Sequence, residues 1–155
     1  GISTETLIIE RPVLATILRA GLPLHQGFLN YFDRSDSCFI SAFRKHKNGG
    51  SFEIKIEYMS SPDLEGKTVI LCDPMLASGS SMVLAMEALL SKGKPKHIHV
   101  VVTIASSEGI QYFKENSPFR NCTLWLGAED KGMTAQSYIV PGLGDAGDLA
   151  FGEKI

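Results

Sequence analysis

Residues 70–82, ILCDPMLASGSSM, combine an acidic side chain, a turn of small residues and the start of a helix. Asp73 ends an apolar run, and the segment from Ala77 to Ser81 leads into an amphipathic stretch. Backbone N–H groups at a helix N-terminus bind anions, and a carboxylate accepts hydrogen bonds from sugar hydroxyls. The stretch is therefore a candidate site for a phosphorylated sugar such as ribose 5-phosphate. An ordinary capping turn, with serine as the helix N-cap, is the alternative.

The elements that must position this stretch are alternating strands and helices. Apolar runs predict strands at residues 12–18, 38–43, 68–72, 97–105 and 122–128. Helical spacing and helix stop signals predict helices at residues 22–32, 81–93 and 107–116. Near-continuous apolar strands separated by helices indicate an α/β fold with a parallel sheet covered on both faces. Ligands of such sheets bind at the carboxyl ends of the strands.

Residues 45–60 interrupt this alternation. KHKNGG followed by SFEIKIEYM predicts a flexible β-hairpin arm, with apolar and charged side chains alternating along its second strand. Because the arm leaves the sheet at a strand end, it is either a lid over a ligand site or a plain surface hairpin.

The C-terminal segment 138–152, YIVPGLGDAGDLAFG, has four glycines between Gly142 and Gly152 and two aspartates in otherwise apolar surroundings. This composition is poor for a core and poor for a helix. Backbone without side chains can approach a flat ligand closely. The segment is therefore a candidate binding element for a planar molecule.

The composition excludes several classes of protein. With 155 residues, 44% hydrophobic, 21% charged and a net charge of −2, the chain has the balance of an ordinary globular domain. Lys and Arg total 15 against 17 Asp and Glu, so no nucleic-acid surface is implied. No apolar stretch is long enough for a membrane span, and the expected location is the cytoplasm. Three cysteines without metal-ligand spacing predict buried thiols.

Four motifs, ILRAG, DPMLASGSS, SSEG and YIVPGLGDAGD, extend over nearly the whole chain. In these motifs the sequence resembles the uracil phosphoribosyltransferases, which have the type I phosphoribosyltransferase fold. The resemblance implies a reaction of pyrimidine salvage and UMP biosynthesis, in which uracil and 5-phosphoribosyl 1-diphosphate (PRPP) give UMP and diphosphate. It also implies Mg²⁺ bound alongside PRPP, a homodimer or larger homo-oligomer, and GTP as a possible effector.

The resemblance further implies roles for individual residues, with Arg19, Asp73 and Asp145 as the catalytic ones. It implies PRPP contacts from Arg19, Arg44, Asp73, Pro74, Met75, Leu76, Ala77, Ser78, Gly79, Ser80, Ser81 and Asp145. It implies uracil contacts from Ile139, Gly144, Asp145 and Ala146. No side chain is expected to bind the metal directly, since Mg²⁺ would be held through PRPP on the side that Asp145 faces.

The sequence departs from the family pattern at three places. Ser80 stands where the family usually has glycine, and Leu149 stands where it commonly has a basic residue. The family also has a longer N-terminal portion, whereas this chain starts without Met and almost directly in strand-like sequence. We therefore expect one phosphoribosyltransferase domain over residues 1–155 that lacks an N-terminal segment.

Two other functions stay open at this point. One is a phosphoribosyltransferase for another base, such as a purine, against which the YIVPGLGDAGD segment argues. The other is a non-catalytic regulator that senses PRPP or UMP, for which a basic nucleic-acid face would be expected. Of the aromatic residues outside these motifs, Trp125 is expected in the core and His25 on a helix surface.

Overall fold

The computed structural model describes residues 1–6, 8–46 and 52–154. The strands described there are β1 (Val13–Leu18), β2 (Ser37–His46), β3 (Phe52–Ser60), β4 (Thr68–Cys72), β5 (Met75–Leu76), β6 (His97–Ser106), β7 (Cys122–Asp130), β8 (Gly132–Met133) and β9 (Ile139–Val140). The helices are α1 (Leu22–Leu29), α2 (Ser80–Leu90), α3 (Ser107–Asn116) and α4 (Ala146–Phe151). No helix in these ranges has the length and apolar character needed to cross a membrane.

The main sheet is mostly parallel, which confirms the predicted fold class. Its strands follow the order β3-β2-β1-β4-β6-β7, and β5 pairs with the last part of β6 on the side opposite β7. The β2–β3 pair is antiparallel, whereas the other pairs in this sheet are parallel. Strands β8 and β9 form a separate antiparallel pair.

The core lies between one face of this sheet and the helix α2. Alternate side chains of the central strands point to that face because successive residues of a strand face opposite ways. Methionine and leucine side chains at helical spacing on α2 pack against them. The buried residues of this core include Val69, Leu71, Met82, Met86, Leu89, Ile98 and Val100.

The other face of the sheet is only partly covered. An apolar groove of about 530 Å³ runs along it, lined among others by Phe28, Phe32, Thr68, Ile70, His99, Val101 and Trp125. Of the described helices only α1 contributes to this lining, through Phe28, so the expected cover of both faces is incomplete there. Trp125 is 54% exposed, so its expected place in the core is wrong. His25 of α1 is buried beside Ser37, so its expected surface position is also wrong.

The predicted hairpin arm is formed by β2 and β3. Strand β2 pairs with β1 only as far as Ser41, and its continuation from Ala42 to His46 pairs with β3 alone. The arm therefore extends beyond the carboxyl end of β1. Residues 47–51, between the two strands in the sequence, lie outside the described residues, and the flexibility of the arm stays a prediction.

Candidate active site

The carboxyl edge of the parallel strands collects the candidate residues. Arg19 directly follows β1, Asp73 directly follows β4, and β6 ends at Ser106. Because parallel strands all end at the same edge of a sheet, residues far apart in the chain become neighbours there. The structure thus places Arg19 and Asp73 at one edge, together with Ser106, for which the sequence predicted no individual role.

The loop between β4 and α2 encloses a small cavity of about 110 Å³. Its lining residues are Asp73, Met75, Leu76, Ala77, Ser78, Gly79, Ser81 and Met82. Pockets for whole drug-sized ligands measure roughly 300–1,000 Å³, so this cavity suits one small group of a larger ligand. All predicted loop residues except Pro74 and Ser80 are among those lining it.

The start of α2 differs from an ordinary capping turn. Its N-cap is Gly79, with φ at 80°, and no side chain accepts a hydrogen bond at this cap. The hydroxyls of Ser78 and Ser80 lie 2.8 Å apart and bond to each other. The alternative of a serine N-cap is therefore wrong. Glycine adopts this left-handed backbone readily, which lets the loop turn sharply into the helix.

Asp73 is a carboxyl group whose ionisation the fold opposes. The residue is partly buried, and burial raises the pKa of its carboxyl to about 7. The backbone N–H of Met75, which donates to Asp73 Oδ1 at 3.4 Å, lowers the pKa by a smaller amount. The group is thus poised to accept hydrogen bonds or a proton at neutral pH.

Arg19 joins the end of β1 to the C-terminal helix α4. Its Nη2 donates to Asp148 Oδ1 at 2.8 Å and to the Gly152 carbonyl at 2.5 Å. The guanidinium also lies 5.9 Å from the centre of the Phe151 ring. Within the described residues, its buried Nε finds no hydrogen-bond acceptor. Arg19 therefore anchors the C-terminal segment and keeps one donor for a further partner.

Asp145 begins α4 as its N-cap. Its Oδ1 accepts a hydrogen bond from the Asp148 N–H at 2.9 Å, and Lys154 Nζ lies 3.5 Å from its Oδ2. Burial acts to raise the pKa of Asp145, but the Asp148 N–H and the Lys154 charge outweigh it and leave the pKa below its usual value. Asp145 is therefore held as a carboxylate.

The glycine-rich C-terminal segment is shaped by its backbone. Gly144 has φ at +84°, and Gly142 has φ at +51° with its N–H donating to Asp130 Oδ2 at 3.0 Å. Ile139, of β9, is buried. Residues 146–151 form α4, so the expectation that this segment is unsuited to a helix is wrong for that part. The Asp145 cap and the Arg19 contacts at the other end stabilise this short helix.

Arg44 lies on the hairpin arm, beyond the last residue of β2 that pairs with β1. Its side chain is outside the described part of the structure. Its role in binding PRPP therefore stays a prediction.

The comparisons with known proteins give the chain a family. A model of the family described as uracil phosphoribosyltransferase matches residues 2–153. The uracil phosphoribosyltransferase of Porphyromonas gingivalis is 57% identical over 146 residues, which cover 94% of this chain and 67% of that protein. The chain belongs to the uracil phosphoribosyltransferase family.

Two solved structures are similar to the chain in fold. The AQ2163 protein from Aquifex aeolicus has a TM-score of 0.83 and 32% identity, over 94% of this chain and 67% of the other. A purine phosphoribosyltransferase from Pyrococcus horikoshii has a TM-score of 0.56 at 15% identity, over 81% of each chain. The second likeness shows the fold alone, that of the type I phosphoribosyltransferases.

For three residues at this candidate site, no individual role was predicted from the sequence. Asp148 holds Arg19, Asp130 holds the Gly142 N–H, and Ser106 donates to the Ala77 carbonyl at 2.6 Å. The sequence carried a signal for Ser106, since a serine just before a helical pattern is a typical N-cap. The sequence carried no such signal for Asp148 and Asp130, because their hydrogen bonds to Arg19 and Gly142 depend on contacts between distant segments.

Proposed function

We propose that this chain transfers the phosphoribosyl group of PRPP to uracil, giving UMP and diphosphate in pyrimidine salvage. The observation that carries the proposal is 57% identity, over 94% of the chain, to a protein named uracil phosphoribosyltransferase. The loop from Asp73 to Ser81, with its small cavity at the carboxyl edge of the sheet, supports it. Neither another base nor a purely sensing role has a comparable observation in its favour.

The 5-phosphate of PRPP fits the cavity at the start of α2. Backbone N–H groups and the dipole of this eleven-residue helix favour an anion there. The hydroxyls of Ser78 and Ser81 add donors from the cavity wall. Asp73, at the other end of the same cavity, accepts hydrogen bonds from the ribose hydroxyls. Phosphate and ribose are thereby held at fixed positions.

The reaction breaks the bond between C1 and the diphosphate oxygen, and the bonding electron pair leaves with the diphosphate. N1 of uracil forms the new bond to C1 and loses its proton, so no covalent bond to the enzyme is needed. Charge grows on the leaving diphosphate as the bond breaks, and cations aimed at it stabilise the transition state more than the ground state. Arg19, whose Nε has no hydrogen-bond acceptor among the described residues, and Arg44 on the arm take this role.

The uracil site is assigned to the backbone around Ile139 and Gly144 to Ala146. Uracil presents an N3–H donor between two carbonyl acceptors, a pattern that fixed backbone C=O and N–H groups match. Cytosine would place an amino donor where a backbone donor waits, leaving both without an acceptor. Gly144 has a left-handed φ, which residues with a side chain rarely adopt, and this supports a site whose shape is set by the backbone.

Mg²⁺ belongs to the proposal as an ion bound with PRPP. No cluster of three or more His, Cys, Asp or Glu side chains suited to a metal occurs among the described residues. Mg²⁺ in proteins keeps several waters and is bound together with substrate phosphates, which fits an ion held through PRPP on the side that Asp145 faces. The ion would supply positive charge to the diphosphate.

The test is an assay of diphosphate release by the full-length protein with PRPP, Mg²⁺ and each nucleobase in turn. We expect release with uracil only, its loss on chelation of Mg²⁺, and its return when Mg²⁺ is added. Asp73→Asn is expected to slow release, whereas Asp63→Asn, an exposed aspartate in a turn before β4, is the matched control. PRPP binding without release would favour the sensing role, and release with a purine would favour the other enzyme.

The family resemblance also supports proposals on the whole protein. We infer one phosphoribosyltransferase domain over residues 1–155, a homodimer or larger assembly, GTP as an effector, and a place in the cytoplasm. Light scattering after size-exclusion chromatography, kinetics with and without GTP, and cell fractionation test these points separately.

A further inference from the structure

The β4–α2 loop is tied to β6 and α3 along its length. The Pro74 carbonyl accepts hydrogen bonds from the N–H groups of Thr103 and Ile104, at 3.0 and 3.1 Å. Strand β5, the next part of the loop, pairs with the end of β6. The loop's shape is therefore set by the strand and helix behind it as well as by its own sequence.

Ser106 provides the next tie. The residue is only 1% exposed, and its hydroxyl donates to the Ala77 carbonyl at 2.6 Å. The same oxygen accepts the Gly109 N–H at 2.8 Å, which makes Ser106 the N-cap of α3. One side chain thus starts a helix and fixes the direction of one carbonyl in the loop.

The direction of that carbonyl determines where the next N–H points. The peptide between Ala77 and Ser78 is trans, so its C=O and N–H point in opposite directions. With the C=O turned to Ser106 at the end of β6, the Ser78 N–H points away from β6 and α3. The residues that line the small cavity all belong to the segment from Asp73 to Met82, and none belongs to β6 or α3.

We propose that Ser106 is a positioning residue of this site, which holds the Ala77–Ser78 peptide so that the Ser78 N–H faces the phosphate group of the substrate. This inference rests on the proposed function for the identity of the substrate. It adds a role for a side chain that lies behind the loop, on the side away from the cavity.

Two glycines keep the loop close enough for this hydrogen bond. A Cβ at Gly109 would collide with the Ala77 carbonyl oxygen and would lie 2.7 Å from that of Leu76. A Cβ at Gly79 would lie 2.9 Å from the Gly109 carbonyl oxygen. Any side chain at these positions would therefore force the loop and α3 apart and break the Ser106 contact.

The test compares Ser106→Ala with Ser117→Ala in the full-length protein. Ser117 lies at the other end of α3, where its hydroxyl contacts the Phe119 carbonyl, Met86 Sδ and Cys122 Sγ, so this control loses a hydroxyl that contacts no residue of the loop. For Ser106→Ala we expect the KM for PRPP and the Kd for ribose 5-phosphate to rise about tenfold, with the KM for uracil unchanged. We expect no such change for Ser117→Ala, and recovery of PRPP use in Ser106→Thr, which keeps the hydroxyl.

A measurement on the unmodified protein makes the test independent of how the variants fold. The Ser78 amide signal in a ¹H–¹⁵N spectrum is expected to move downfield when ribose 5-phosphate binds. A folded Ser106→Ala variant with unchanged PRPP and ribose 5-phosphate affinities, or a Ser78 amide that does not respond while other loop amides do, would overturn the inference. If the protein binds ribose 5-phosphate but does not use uracil, the proposed function fails. The role of Ser106 would still be supported in that case if the Ser78 amide signal moves on binding and Ser106→Ala binds ribose 5-phosphate more weakly.

Discussion

Replacing Asp73 with asparagine is expected to stabilise the fold at alkaline pH and to slow the reaction. Burial opposes the ionised carboxyl and raises its pKa to about 7 from a usual 3.8. Ionisation therefore costs stability: the cost is absent below pH 3.8, grows as the pH rises to about 7, and is constant above it. Asparagine cannot ionise, and its Oδ1 can still accept the Met75 N–H.

The size of the gain follows from the pKa. At ~1.4 kcal/mol for each tenfold change in proton affinity, a pKa of about 7 in place of 3.8 corresponds to at most ~4 kcal/mol at pH 8. Asp73 is only partly buried, so water reduces the cost, and we expect roughly 2 kcal/mol. For a chain of this length that is a rise in Tm of roughly 4–8 °C. The gain should be smaller at pH 5 and absent below pH 3.8.

Thermal and urea unfolding of Asp73→Asn at pH 8 and pH 5, with Asp63→Asn as the control, measure this effect. Steady-state assays at pH 8, where Asp73 is ionised, should show kcat reduced at least tenfold, since a charged acceptor for the ribose hydroxyls is lost. No gain in stability at pH 8, or an equal gain at both pH values, would refute the reasoning about burial. Full activity would remove Asp73 from the ribose site.

Other substitutions test the remaining parts of the site. Arg19→Ala is expected to raise the KM for PRPP at least tenfold, and an unchanged KM would exclude Arg19 from PRPP binding. Asp148→Asn should lower the free energy of unfolding in urea by no more than ~1 kcal/mol, because both side chains of the Arg19–Asp148 ion pair are 33% exposed. Ala146→Val is expected to raise the KM for uracil severalfold and leave that for PRPP unchanged. Gly144→Val should in addition lose roughly 1–2 kcal/mol of stability, because its φ is +84°. Asp145→Asn should change PRPP kinetics and Mg²⁺ dependence, and its stability loss should be present at pH 7 and fade as the pH falls through the lowered pKa. Kinetics with varied uracil and varied PRPP separate these effects, and wild-type kinetics in all the C-terminal variants would restrict that segment to packing.

The order of elements could be predicted from the sequence because it depends on local patterns. The strand and helix around Asp73 were predicted to within a few residues, since continuous apolar runs and helical spacing are properties of short segments. The small residues from Ala77 to Ser81 also identified the cavity-forming turn, because few side chains allow such a turn. The glycine-rich C-terminal segment was also identified from its own residues, through the YIVPGLGDAGD motif.

Contacts between distant segments could not be predicted from local sequence patterns. The sequence placed Arg19 at a strand end, but its partners Asp148 and Gly152 lie more than a hundred residues further along. The same holds for Ser106, whose local role as an N-cap was readable, whereas its hydrogen bond to the Ala77 carbonyl requires β5 to pair with β6.

Trp125 shows the same limit for burial. Its apolar strand β7 predicted a core position, yet the side chain lies on a face of the sheet that the described helices do not fully cover. The sequence by itself determined the parallel α/β order, the turn at Asp73 and the glycine-rich C-terminal segment, because each depends on the chemistry of neighbouring residues. Only the tertiary structure decided which face is buried and which groups meet at the carboxyl edge, because those depend on how the strands are ordered in space.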